Sequence, residues 1–309
     1  MQNEIHTTKK LFTIHYSLFT VVLAFLLLSY SRNSVWQNEL TLWKDCSLKS
    51  ATKPRAFSNL GRAYFFTGAM DDAIINLTKA IRLNPRFSDA YNHLGSIAKV
   101  KGNYDLAVSY YEKAIESNSF NAEAHNNLGV ICRERGQLSR AKEVLKRAKE
   151  LAPELQDTYN TLGAVYMDEG KFDEAAQEFE SALKLNPEYV EAWSNLGIAY
   201  YRRRIPKKAE ACFKQALLLR PGFTWAHFNL AAALYDEGCY NEAVTEYKKV
   251  LFLDPDFVLS YFNLGEVYRS MGERENALQY YKKFIASGKG AEKYRIEAYK
   301  IIKELEKVI

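Results

Sequence analysis

Seven leucines, Leu60, Leu94, Leu128, Leu162, Leu196, Leu230 and Leu264, stand 34 residues apart, and nothing else in the sequence constrains the fold as strongly. A fixed spacing of this length marks a repeat array, in which each unit buries its apolar face only by stacking on its neighbours. Counted so that this leucine is seventh, the units run 54–87, 88–121, 122–155, 156–189, 190–223, 224–257 and 258–291. The eighth position is Gly61, Gly95, Gly129, Gly163, Gly197, Ala231 and Gly265, and the twentieth is alanine in every unit, from Ala73 to Ala277. Small residues at two fixed places let a pair of helices approach closely.

The fifteenth position is glycine except in the fifth unit, which has Arg204, and the thirty-second is proline in five units, at Pro85, Pro153, Pro187, Pro221 and Pro255. Glycine after one helix and proline after the next punctuate a helical hairpin. Twelve of the fifteen glycines fall on these two glycine positions, so the pattern is not a matter of composition. At 100° per residue the fourth, seventh, eighth and eleventh residues share a stripe on the first helix, and the twentieth, twenty-fourth and twenty-seventh share one on the second.

With Phe57, Tyr91, Tyr159, Trp193 and Tyr261 at the fourth position and Tyr111, Phe179, Phe213, Tyr247 and Tyr281 at the twenty-fourth, the chain resembles the tetratricopeptide repeat (TPR) family. The resemblance implies an all-α fold, a right-handed superhelical solenoid of seven helix-turn-helix repeats with a concave groove for protein or peptide partners. Such an array needs caps. Residues 292–309 carry Ile296, Tyr299, Ile302, Leu305 and Ile309 at spacings of three and four, as a C-terminal capping helix would. Upstream, the frame projected backwards puts Trp43 and Cys46 on the buried stripe of an incomplete unit, so residues 31–53 are expected to hold a juxtamembrane linker and an N-terminal capping helix.

Residues 11–30 form an uncharged run of 20, which at 1.5 Å per residue spans the ~30 Å hydrocarbon core of a bilayer as one transmembrane helix. The alternative is a secretory signal peptide, with Lys9 and Lys10 as its basic region and Ser29 and Ser31 at a cleavage site, although the run is long for that role. Lys9 and Lys10 before the run, against Arg32 after it, place residues 1–10 in the cytoplasm and the repeats outside it, in a periplasm or lumen.

Composition excludes several functions. Of 309 residues, 48% are hydrophobic and 26% charged, which is globular rather than disordered, and a net charge of +5 is too small to argue for nucleic acid. Cys46, Cys132, Cys212 and Cys239 form no C-x-x-C pair, and no G-x-G-x-x-G, P-loop, H-E-x-x-H or G-x-S-x-G motif is present. His125 and His227 occupy the fourth position and read as core aromatics rather than bases or ligands. The expectation is a non-enzymatic chain with no catalytic residue, cofactor or metal.

The groove face is the binding candidate. Its sixth position is Asn59, His93, Asn127, Thr161, Asn195, Asn229 and Asn263, similar to the amide ladder that the TPR arm of O-GlcNAc transferases offers to extended peptides. Asparagine is common there across the family, so a structural reading stands beside the binding one. The second position is acidic at Asp89, Glu123, Asp157 and Glu191, where the helix dipole also favours a carboxylate, and then becomes Trp225 and Leu259. The fifth changes from small polar residues to Phe228 and Phe262. Large rings on a groove face anchor partner side chains, so the expected groove comprises Asn59, His93, Asn127, Asn195, Trp225, Phe228, Asn229, Phe262 and Asn263, with coverage of the rings by the C-terminal cap as the alternative. At the ninth position, one of those that clamp chaperone carboxylates in some TPR domains, only Arg62 is basic, which argues against that role. The run Arg202, Arg203, Arg204, Lys207 and Lys208 reads as a solvated loop, with an anionic-lipid or polyanion contact as the alternative.

Arg32, Asn33, Trp36, Trp43, Pro54 and the first repeat look like the junction where transmembrane TPR-containing O-mannosyltransferases and their bacterial relatives leave the membrane. The many further membrane helices that carry catalysis in those enzymes are not in this sequence, so catalysis is not carried over. The expected function is a membrane-anchored scaffold that binds partner proteins, the alternative a truncated or split accessory module of a membrane glycosyltransferase.

Overall fold

The computed structural model describes residues 37–307. The expected N-terminus 1–10 and membrane helix 11–30 lie outside the described residues, as do Arg32, Asn33, Trp36 and Ile309. The described residues form sixteen helices and no strand, and none of these helices is long and apolar enough to cross a membrane.

The chain divides into two compact units, Met1–Leu128 and Gly129–Ile309. The first holds α1 (Glu39–Lys49), α2 (Pro54–Phe66), α3 (Met70–Leu83), α4 (Ser88–Val100), α5 (Tyr104–Ser117) and the start of α6 (Ala122–Glu134). The second holds the rest of α6, then α7 (Leu138–Leu151), α8 (Gln156–Asp168), α9 (Phe172–Leu185), α10 (Val190–Arg202), α11 (Pro206–Leu219), α12 (Thr224–Asp236), α13 (Tyr240–Leu253), α14 (Leu259–Ser270), α15 (Arg274–Ala286) and α16 (Glu292–Lys307).

Each hairpin closes through the two small-residue positions. A Cβ on Gly163 of α8 would lie 2.6 Å from the Phe179 ring of α9, and one on Gly197 of α10 2.5 Å from Phe213 of α11, so the aromatic ring of the second helix sits directly on the backbone of the first. The alanines at the twentieth position, Ala73, Ala107, Ala141, Ala175, Ala209, Ala243 and Ala277, are all 0% exposed. A fully buried ring such as Phe179 stabilises its unit by ~1.5 to 3 kcal/mol relative to exposure.

The turns follow from the backbone. After α8, Gly170 has φ 75° and donates to the Met167 carbonyl, while Lys171 donates to Tyr166, the paired closure of a left-handed helix end. Arg204 takes the same place after α10 at φ 60°, the one non-glycine residue with positive φ among the described residues. At the end of the second helices, Asn84, Asn118, Asn186 and Asp254 each accept the N–H two residues on, at 3.0 or 3.1 Å, which turns the chain toward the next repeat.

The fourth-position rings carry a polar tip for a reason. Tyr91, Tyr159 and Trp193 donate to the carbonyls of Pro85, Pro153 and Pro187 in the preceding turn, at 3.2, 2.9 and 2.8 Å. His125 and His227 direct Nε2 at the Ser119 and Pro221 carbonyls in the same way, and both are buried. Tyrosine, tryptophan and histidine exchange at this slot because each joins an apolar body to a donor.

In α16 the buried face is Ala298, Ile301 and Ile302, with Tyr294 and Leu305 packed beside them. Ile296 and Tyr299, expected on that stripe, are half exposed. The capping face is therefore rotated from the one read off the spacing, because this helix packs by fit to α15 and not by the repeat frame.

Candidate functional site

Within the second unit, the first helices α8, α10 and α12 line a cleft of about 330 Å³. Asn160 comes from α8, Glu191, Ser194, Asn195 and Ile198 from α10, Phe223 from the turn before α12, and Trp225 and Asn229 from α12 itself. Trp225 is 57% exposed. Its ring stands edge to face with Phe257 at 4.8 Å and with Phe228 at 6.2 Å, so the exposed indole is seated on a rigid aromatic base.

The amide ladder is partly internal. Asn195 donates through Nδ2 to Asn160 Oδ1 at 3.0 Å, and in the first unit Asn127 donates to Asn92 at the same distance. Asn263 donates to the Tyr247 hydroxyl at 3.0 Å. Asn229 follows Ser194 rather than an asparagine, and its side-chain amide has no partner among the described residues. In each bonded case the carbonyl oxygen of the sixth-position amide is left to accept.

The second-position carboxylates also have partners. Asp157 accepts the Tyr189 hydroxyl at 2.8 Å, and Glu191 pairs with Arg220 at 2.8 Å, both groups of that pair being about half exposed. Burial, reinforced by Asp157, holds the Tyr189 phenol well above its ordinary range, so it stays a donor. In the first unit Glu123 accepts from Asn92, and Arg62 contacts Glu39. His93 is held down at about 4 by burial and by the nearby Arg62 charge, so it is a neutral ring at physiological pH.

The expected groove set thus separates. Asn195, Trp225 and Asn229 meet around one cleft, with Phe228 supporting the indole. Phe262 is a correction: it is 5% exposed, enclosed by Tyr281 and Phe284 of α15 and by Tyr294 of the capping helix α16 at 5.2 to 5.7 Å, so it is covered and does not line the groove. Asn59, His93 and Asn127 belong to the first unit. Phe223 and Phe257 were not anticipated, because the residue just before each first helix reads as linker. The apolar character of that position in Phe87, Leu155, Tyr189, Phe223 and Phe257 was the available signal.

A second cleft, of about 550 Å³, is lined by Leu217, Leu230, Phe252 and Leu253 and by the His227–Glu246 pair, 2.5 Å apart. Its charged groups pair with neighbours, Lys249 with Glu246 and Lys214 with Glu210, which leaves little to orient a ligand. In the basic run, Arg203 is tied to Asp173 at 2.6 Å. Cys212 is buried, and burial pushes its thiol up to about 12. No cluster of three or more metal-ligating side chains is present among the described residues.

Comparison with known proteins agrees with this architecture. The family described as the Cilia and flagella-associated protein 70 C-terminal domain matches residues 36–253, and a tetratricopeptide repeat family matches residues 258–287. Among curated proteins none matches the sequence. The fold is similar to a chain in the crystal structure of the APC/C hetero-tetramer Cut9–Hcn1, with TM-score 0.67 and 23% identity over 74% of this chain, which spans 45% of that one. It is also similar to Pseudomonas aeruginosa pilF, with TM-score 0.59 and 24% identity over 65% of this chain and 92% of that one. With 34-residue helical hairpins throughout and a family match over most of its length, the chain belongs to the TPR family described as the Cilia and flagella-associated protein 70 C-terminal domain.

Proposed function

We propose that the protein is a non-catalytic scaffold that holds an extended peptide segment of a partner protein in the α8–α10–α12 cleft. The observation that carries this reading is the pairing of an exposed, rigidly seated Trp225 with the unpartnered amide of Asn229 in one cleft. An aromatic anchor beside an amide that can both donate and accept suits a side chain and the backbone next to it. Asn195 and Phe228 extend the site.

The uncharged run at residues 11–30 supports anchoring of this scaffold in a membrane, with the repeats on the extracytoplasmic side. The junction from Arg32 to Pro54 supports a second reading, service to a membrane glycosyltransferase, which a polytopic enzyme encoded next to this chain would favour. The test of the scaffold reading is Trp225→Ala in the full chain in detergent, with affinity for a captured partner measured beside circular dichroism. Loss of a hot-spot aromatic costs ~2 kcal/mol, so capture should weaken ~30-fold with helicity intact. Unchanged affinity removes the anchor, and lost helicity makes Trp225 structural.

A further inference from the structure

The cleft has a charge preference written into its hydrogen-bond inventory. We infer that the peptide it takes presents a lysine or arginine side chain, with the cationic head at Glu191 and the stem along Trp225 and Phe223, and that Arg220 occupies this subsite when no peptide is bound. This rests on the reading of the cleft as a peptide groove and specifies its ligand.

Three observations converge on a cation. The charged acceptor of the polar wall is open: Glu191 has one oxygen on Arg220 and the second without a partner among the described residues, and Asn195, with one N–H spent on Asn160, keeps its carbonyl oxygen to accept. Carboxylates outnumber cations beside it, since Asp157 is met by a neutral phenol and Glu191 by a single guanidinium. An acidic ligand would meet the Glu191 carboxylate and no cation in the lining. The apolar wall of Ile198, Phe223 and Trp225 then suits the methylene stem of a long basic side chain.

Arg220 shows how such a head is held. Its guanidinium touches Glu191 at 2.8 Å and lies 5.2 Å from the centre of the Phe223 ring, a carboxylate on one side and an aromatic surface on the other. Both members of the Arg220–Glu191 pair are about half exposed, and exposed pairs contribute little to stability. A ligand cation therefore displaces Arg220 at small cost. The two residues should act on the ligand with opposite signs: Glu191 attracts its head, and Arg220 competes for the same carboxylate.

The test uses the full chain in detergent micelles and pooled octapeptides, uncharged at all positions except a central one fixed as Lys, Arg, norleucine or Glu. The Lys and Arg pools should bind ~10-fold more tightly than the norleucine pool, and that advantage should shrink on going from low to ~0.5 M salt. Glu191→Gln should abolish the advantage and Arg220→Gln should enlarge it ~3-fold, with helicity followed by circular dichroism. Equal binding of all pools, or preference for Glu, overturns the charge assignment while leaving the peptide groove standing. Binding of no pool at millimolar concentration overturns the groove reading and this one with it. If Glu191→Gln loses helicity, the Arg220→Gln variant and the salt series on the unaltered chain decide.

Discussion

Asn195 donates its side-chain amide to the Asn160 oxygen, 35 residues earlier in the chain, at 3.0 Å. This bond joins successive first helices across the floor of the cleft, and the Asn127–Asn92 bond repeats it in the other unit. Asn229 occupies the same repeat position but faces the shorter Ser194, so its amide is left to a ligand. One ladder therefore combines structural rungs with a rung that is open.

Asn195→Ala should cost ~0.5 to 1.5 kcal/mol of stability, the net worth of one hydrogen bond. Asn229→Ala should leave stability within ~0.5 kcal/mol, because the half-buried amide has no hydrogen bond to lose among the described residues. Thermal denaturation of the two variants checks this. Equal losses would mean that Asn229 also has a structural bond.

Ala175→Leu should destabilise by ~1 to 3 kcal/mol, because Ala175 is 0% exposed and the added atoms have no space between α9 and its neighbours. Denaturant titration measures the loss. Unaltered stability would show that the twentieth position is not a helix contact.

Arg204→Gly should stabilise the second unit by ~1 kcal/mol. Arg204 sits at φ 60°, where an L-residue carries a steric penalty that glycine lacks, and the other repeats put glycine at this turn. A raised melting temperature is the expected result, and a lowered one would mean that the arginine side chain contributes more than its backbone costs.

His93 should titrate near pH 4 by NMR, against 6.5 in the unfolded chain. Below pH 6.5 the unfolded chain binds a proton that the folded ring refuses, so stability is full above that pH and falls as the pH drops toward 4. From pH 6.5 down to ~5 the loss attributable to this ring should reach ~1.5 kcal/mol. His93→Asn should flatten the fall over that range. A histidine signal moving at its ordinary pH would overturn the burial argument.

Much of the fold was legible because a repeat makes its contacts at fixed sequence separations. Gly163 and Phe179, or Gly197 and Phe213, lie on stripes that the wheel alone identifies, and the glycine turns announce themselves by residue type. The site was legible only in part. Trp225 stood out because no other unit has a ring at its position, yet the two phenylalanines beside it in the repeat frame, Phe228 and Phe262, met different fates.

By itself the sequence determined the hairpin, its length, its turns and the residues sealed between its helices, since these depend on local periodicity and on neighbours one repeat away. Only the tertiary structure decided what each repeat position is free to do. Phe262 is covered because Tyr294 of a helix outside the repeat frame packs onto it, and Phe223 and Phe257 enter the site because the turn before each first helix folds back against the groove. Asn195 is tied and Asn229 open because the residue opposite is asparagine in one case and serine in the other, and whether those two side chains meet depends on how closely adjacent helices pack.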